Sequence, residues 1–386
     1  MSDAAIPEIA RHGEVELFVG AGSLARVGEL TRREGGRRAF LVTDPGVRAA
    51  GHAARAERSL ASAGIEVVIF DGARENPTTR HVAEGLAVAR SNAVDFIIGL
   101  GGGSSMDCAK GINLLLTNGG RVADYWGVNK ASAPMLPSIL IPTTAGTGSE
   151  AQSFALISDE LTHAKMACGD RRSPRAGGLR PRVAILDPDV TATAPRETAV
   201  NAALDALSHA IETAACRVRT DRSRELSRRA WKFLAANIEH VINGDVSDAR
   251  SEENEARLSM LLGAHLAGLA IEQSMLGAAH ACANPLTARF GVTHGVAVSV
   301  MLPHVVRYNA AGEEDPYSDI GGGEAVAGFV EGLLESAGRS QRLRSLGIPE
   351  AALRELAESA AKQWTAGFNP RPVTANDLLA LYRAAF

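Results

Sequence analysis

Roughly the first 190 residues alternate between short apolar runs and helix-like stretches, and this alternation restricts the fold more than any other feature of the chain. The runs are 38–43 (RAFLVT), 66–70 (EVVIF), 95–100 (DFIIGL), 138–142 (SILIP) and 183–186 (VAIL), most of them followed by turn residues. Stretches such as 49–63 and 79–91 separate several of them and read as helices. Such alternation predicts a parallel sheet with helices on its faces. From about Pro195 the strand signals fade, and Ala/Leu/Arg-rich stretches at 197–218, 222–242 and 253–275 predict a helical second half. A chain of 386 residues exceeds what one core usually organises. The expected division is therefore an α/β domain over 1–190 and an all-helical domain over 191–386.

In a parallel sheet, ligands bind beyond the carboxyl ends of the strands, so the loops there carry the information. After 95–100 comes GLGGGSSMDCAK, with three consecutive glycines, Gly101, Gly102 and Gly103, then Ser104 and Ser105. Glycine lets the backbone approach a ligand closely. A helix is expected to begin near Met106, and its free N–H groups favour a diphosphate. The spacing is not G-x-G-x-x-G, and a plain strand-to-helix turn is the competing reading. After 138–142 comes TTAGTGSE, where Thr143, Thr144 and Thr147 offer hydroxyls to a ribose or carboxamide. Two such loops at neighbouring strand ends favour a nucleotide cradle. Asp44 closes the first run (LVTD): a carboxylate there accepts both hydroxyls of an adenosine ribose and repels a 2′-phosphate, or equally caps the next helix. Asn76 lies in an exposed polar turn after the second run.

The second half carries a different chemistry. In NAALDALSHAIE, Asp205 and His209 stand four residues apart, on one face of a helix. His280 and His294 lie in GAAHACANPLTARFGVTHG, among small residues, Gly and Pro. One Asp and three His suit Fe²⁺, Zn²⁺ or a similar divalent metal, although an isolated Asp/His pair is commonly only a helix-surface pair. His265 and His304 fit packed core positions. The basic run Arg171, Arg172, Arg175, Arg180 and Arg182 fits a solvated loop, or a feature favouring an anionic substrate if it borders a site.

A net charge of −4 leaves no nucleic-acid footprint. The four cysteines are scattered with no C-x-x-C, which argues against a disulfide framework and for a reducing cytoplasm. The amino-terminal stretch lacks a basic start followed by an apolar run, so no signal peptide is expected, and no apolar run is long enough for a bilayer.

The motifs GGGSSMDCAK, IPTTAGTGSE, DALSHAIE and HACANPLTARFGVTHG, with the ending LGIPEAALRELAESAAKQW…NPRPVTANDLLALYRAAF, resemble the iron-containing (group III) alcohol dehydrogenase family. The resemblance runs over nearly the whole chain, in the family's order. It implies a Rossmann-like dinucleotide-binding domain followed by a helical domain, the dehydroquinate synthase-like architecture. A metal, commonly Fe²⁺ and sometimes Zn²⁺, would sit in the cleft between them. Asp205, His209, His280 and His294 match the four ligand positions, and Asp44 matches the residue associated with NAD over NADP. Gly102, Gly103, Ser104, Ser105 and Met106 would hold the diphosphate, and Thr143, Thr144 and Thr147 the nicotinamide ribose end. Asn76 joins the cofactor set, Lys165 would contact the ribose and Val190 the adenine.

The implied activity is metal-dependent hydride transfer between NAD(H) and a small alcohol or its aldehyde or ketone, by a homo-oligomer of two or more chains. One departure stands out. Many family members carry a histidine four residues after the third ligand, proposed for proton relay or substrate orientation, and here that position is Asn284. Asparagine cannot act as a base near neutral pH. With the arginine run, this leaves a maleylacetate reductase-like reductase of an anionic carbonyl as the alternative, although such reductases lack the full metal set. A nucleotide-binding regulatory protein without turnover is a further possibility.

Overall fold

The computed structural model describes residues 15–243 and 250–386, so the amino-terminal stretch read for a leader lies largely outside the described residues. The chain divides into two compact units. One runs to Thr144 and resumes over Gly148–Ala194, and the other holds Ala145–Thr147 and Pro195–Phe386.

Among the described residues the first unit is built on nine strands: β1 (Glu16–Val19), β2 (Arg38–Val42), β3 (Glu66–Phe70), β4 (Phe96–Gly101), β5 (Gly127–Val128), β6 (Ser138–Pro142), β7 (Phe154–Ser158), β8 (Lys165–Gly169) and β9 (Val183–Leu186). Six of them form a parallel sheet in the order β1-β9-β6-β4-β2-β3. Its helices are α1 (Val27–Arg33), α2 (Pro45–Ala49), α3 (His52–Ser62), α4 (Thr79–Ser91), α5 (Gly103–Asn118) and α6 (Pro188–Thr191). The strand pleat sends successive side chains to opposite faces. Leu41, Ile98, Ile139 and Ile185 pack with Leu30, Ala56 and Leu60 of α1 and α3 on one face. Phe40, Val42 and Ile97 pack with Val82, Leu86, Cys108 and Ile112 of α4 and α5 on the other. Covered on both sides, β4, β6 and β9 are buried throughout, which is why they appear in the sequence as unbroken apolar runs.

Three features differ from the expectations. The edge strand β1, with only Leu17 of its four residues buried, is not among the expected strands. The small sheet β5-β8-β7 is also new, with β7 and β8 antiparallel. The helix expected over 49–63 is α3, which begins only at His52 after Gly51 with φ 83°, while Ala49 ends the separate helix α2.

The second unit is helical, as the sequence predicted: α7 (Arg196–Ala215), α8 (Asp221–Asn243), α9 (Arg250–Gln273), α10 (Ala278–Phe290), α11 (His294–Ala310), α12 (Gly323–Ser336), α13 (Leu353–Ala360) and α14 (Ala375–Ala384). Glycine permits two close approaches to α7. A Cβ on Gly146 would meet Ala202 at 2.9 Å, and one on Gly295 would meet the Asn201 carbonyl oxygen at 2.2 Å. No helix among the described residues is long and apolar enough to cross a membrane. All four cysteines are free and buried.

Candidate metal centre and cofactor loops

The carboxyl ends of β2, β4 and β6 gather most of the residues assigned above to a nucleotide. Helix α5 begins at Gly103, three residues before the expected start, so Ser104 and Ser105 stand in its first turn. No side chain caps this helix, and its first N–H groups remain available to an anion. Gly101, at φ 156°, has no room for a side chain: a Cβ would fall 2.4 Å from Ser105 Oγ and 3.0 Å from Asp44 Oδ2. The Thr143 N–H donates to the Gly101 carbonyl at 2.9 Å, tying the two loops together. Thr144 lies beside Gly102, whose Cβ would sit 3.4 Å from its Oγ1.

Asp44 plays the capping role that the sequence left open. Its Oδ1 accepts from the Val47 N–H at 3.0 Å at the start of α2, while Oδ2 accepts from Ser105 Oγ at 2.9 Å. The carboxylate is thereby joined to the glycine loop. Asn76 stands at φ 50° and its N–H donates to Ser104 Oγ at 3.3 Å. Lys165 opens β8. Thr147 belongs with the helical unit, apart from Thr143 and Thr144. Val190 is a correction: it is fully buried in the core on α6, so its side chain offers no surface to an adenine. Its spacing in DPDVT suits a helix whose apolar member turns inward.

The arginine run is largely committed within its own unit. Arg172 pairs with the buried Asp170 at 2.8 Å, and Arg175 and Arg182 reach Glu34 at 3.2 and 3.4 Å. Arg171 lies over the Phe154 ring.

In the helical unit the Asp205/His209 pair is no surface pair. Both side chains are buried on α7. His280 enters from the first turn of α10, and His294 from the first residue of α11 after a turn at Gly291, φ 67°. One carboxylate oxygen collects all three rings: Asp205 Oδ1 lies 3.5 Å from His209 Nε2, 3.7 Å from His280 Nε2 and 3.8 Å from His294 Nε2. The His209 and His280 rings stack at 5.0 Å, and His294 tilts against His280 at 5.3 Å. The ligand atoms of Asp205, His209 and His280 all lie within 4.8 Å of one another. His294 keeps 23% of its side chain exposed against 8% for Asp205, so the cluster opens to solvent at His294.

This donor set fits a divalent ion. Asp205 Oδ1 and His280 Nε2 are buried and make no hydrogen bond, and an orphaned buried acceptor is costly unless a cation takes it up. Burial acts to raise the pKa of Asp205, but the three imidazoles outweigh it and hold the carboxyl well below its usual range. Burial lowers His209. Burial also works against a charge on His280, but Glu212 and Asp205 raise its pKa to about 9.

Sequence reasoning missed Glu212. It sits one face-repeat beyond His209 on α7, and its Oε2 lies 2.5 Å from His280 Nδ1. The signal was present in DALSHAIE, where Asp205, His209 and Glu212 are spaced i, i+4 and i+7. Asn284, one turn beyond His280, donates from Nδ2 to Gln363 Oε1 at 3.1 Å. His265 is buried, as expected, and His304 is half-buried.

Two family descriptions cover the chain: iron-containing alcohol dehydrogenase matches residues 15–188, and the C-terminal domain of the Fe-containing alcohol dehydrogenase family matches 199–386. The 1,3-propanediol dehydrogenase of Klebsiella pneumoniae is 33% identical over 96% of both chains. The NAD-dependent methanol dehydrogenase of Bacillus methanolicus is 30% identical over 95% of this chain and 97% of its own. A crystal structure of 1,3-propanediol oxidoreductase superimposes with a TM-score of 0.88 at 33% identity, over 97% of this chain and 98% of that one. By sequence along nearly its whole length and by fold, this chain belongs to the iron-containing alcohol dehydrogenase family.

Proposed function

We propose that the chain is an NAD-dependent alcohol dehydrogenase that moves a hydride between NAD(H) and a small primary or secondary alcohol or its carbonyl. Asp205, His209, His280 and His294 would hold Fe²⁺, or Zn²⁺ in its place. The observation that carries this reading is the buried, unbonded Asp205 Oδ1 ringed by three imidazole nitrogens at 3.5–3.8 Å. A divalent ion held there supplies Lewis-acid polarisation of an alcohol or carbonyl oxygen.

The remaining work falls to the chain itself. The open first turn of α5, with Gly102, Gly103, Ser104, Ser105 and Met106, binds the diphosphate through N–H donors. Asp44, held between Val47 and Ser105, accepts the adenosine ribose hydroxyls and disfavours a 2′-phosphate. Asn76 borders this loop, and Thr143, Thr144, Thr147 and Lys165 serve the nicotinamide ribose end. These contacts orient the cofactor so that hydride transfer needs little further reorganisation. His294, at the exposed side of the cluster, marks where substrate arrives, while the buried Asp205, His209 and His280 exclude water behind it. Asn284 has no proton-accepting nitrogen and is bonded to Gln363, so either the alcohol proton leaves by another route, such as a ribose hydroxyl and water, or the natural substrate differs. With three of its five arginines paired to Asp170 and Glu34, the basic run lends no weight to an anionic substrate. We expect a cytoplasmic homo-oligomer acting on small molecules.

The test is NADH formation from a panel of small alcohols and diols, using metal-stripped protein with and without anaerobic Fe²⁺ or Zn²⁺. Turnover should return only with metal. Turnover unaffected by stripping would overturn the reading.

A further inference from the structure

Helix α10 carries His280 in its first turn and has no cap of its own, because its N-cap is Gly277. Its first two N–H groups are taken by side chains from distant parts of the chain. Ala278 donates to Asn369 Oδ1 at 3.2 Å, and Ala279 donates to Glu212 Oε1 at 2.7 Å. The other Glu212 oxygen, Oε2, accepts from His280 Nδ1 at 2.5 Å. Asn369 is held in turn: its Nδ2 donates to Asn309 Oδ1 at 2.7 Å and to the Arg371 carbonyl at 2.6 Å, and Asn309 Nδ2 donates to Tyr317 OH at 2.9 Å. Glu212, Asn309, Tyr317 and Asn369 are all buried. Gly277 is required at the crossing, since a Cβ would fall 3.0 Å from both Asn369 Oδ1 and Glu212 Oε1.

We infer that Glu212 is a positioning residue of the metal centre, clamping the start of α10 with one carboxylate oxygen and the His280 ring with the other, with Asn369 as the second prong of the clamp. This rests on the metal-site reading above. A buried carboxylate is unfavourable unless its lone pairs are met by donors. Here one donor is a helix N-terminal amide, where the dipole favours negative charge. The other is the ring N–H of the imidazole. By accepting from the Nδ1–H, Glu212 leaves Nε2, which faces Asp205 Oδ1 3.7 Å away, as the ring nitrogen that meets a cation once the cation displaces its proton. An ordinary N-cap would meet the backbone only. A carboxylate spanning backbone and ring makes the helix position and the ring orientation one constraint, and Asn369 extends it to the segment after α13.

The test uses the full chain loaded with Co²⁺, whose visible spectrum reports the ligand geometry, and chelator competition for affinity. Glu212→Gln keeps the size of the side chain but removes its charge and one acceptor. It should weaken Co²⁺ binding about 10- to 100-fold and alter the spectrum. Asn369→Ala should weaken binding less, because the Nδ1 bond remains. Glu212→Gln with wild-type affinity and spectrum, but a lower melting temperature without metal, would reduce Glu212 to a helix cap and overturn the inference. If that variant does not fold, ¹⁵N-histidine spectra of the Zn²⁺-loaded wild type decide: a protected Nδ1–H on His280 supports the clamp, and its absence overturns it. A wild type that takes up no Co²⁺ would instead sink the metal reading underneath.

Discussion

Gly295→Ala should weaken metal binding without touching a ligand. Gly295 follows His294 in the first turn of α11, and a Cβ there would lie 2.2 Å from the Asn201 carbonyl oxygen and 2.9 Å from its carbon. A carbon–oxygen contact rests at roughly 3.3 Å or more, so α11 must back away from α7 by about 1 Å. Asn201 is one turn before Asp205, so that shift separates His294 from the carboxylate it faces at 3.8 Å. Metal–ligand distances tolerate only about 0.2 Å. Overpacking of this kind costs about 1–3 kcal/mol. If it falls wholly on the metal-bound state, affinity drops about 5- to 150-fold. Chelator competition with Zn²⁺ measures it. Gly328→Ala is the control: its Cβ would meet nothing within 4 Å on α12, and alanine favours a helix by about 0.8–1 kcal/mol. That variant should bind metal normally and melt a few degrees higher, about 2–4 °C per kcal/mol. Wild-type affinity in Gly295→Ala would refute the reasoning.

Two further outcomes are expected. Lys110 is buried on α5, and its Nζ donates to the Ser149 carbonyl (2.6 Å) and hydroxyl (2.9 Å) and to the carbonyls of Gln152 (2.9 Å) and Phe154 (2.8 Å). Lys110→Met leaves these acceptors bare at about 1–3 kcal/mol each before relaxation, so calorimetry should show a strongly lowered melting temperature; an unchanged one would contradict the bonding. In the metal-free protein Glu212 and Asp205 raise His280 to about 9, so near pH 7 its ring carries a proton that an incoming cation displaces. Metal affinity should therefore rise with pH up to about 9, by at most about tenfold per unit, with proton release seen by calorimetry in buffers of different ionisation enthalpy. A flat profile would show that His280 is already neutral.

What could be read in advance followed apolar runs rather than burial alone, since the edge strand β3 has no buried residue. Strands β3, β6 and β9 were legible to the residue, because a short run of Val, Ile and Leu bounded by turns has few other uses. The edge strand β1, with one buried residue, and the two-residue β5 are not among the expected strands and emerge only from pairing. At the site, the i, i+4 spacing put Asp205 and His209 on one face of α7, but no local pattern places His280 and His294 against them. That follows from α11 packing on α7, with Gly295 permitting the contact, and from Glu212 holding the first turn of α10. Glu212 was legible as a third member of the same face, but a glutamate on a helix attracts no notice until its burial is known. Val190 misled for the opposite reason: its position in a motif said nothing of its turning into the core.

The most direct test of the account is anomalous diffraction at the iron edge from crystals grown anaerobically with Fe²⁺. A single ion should appear, bound by Asp205, His209, His280 and His294 at about 2.0–2.2 Å. Iron bound elsewhere, or none at these residues in a protein that still oxidises alcohol, would contradict it.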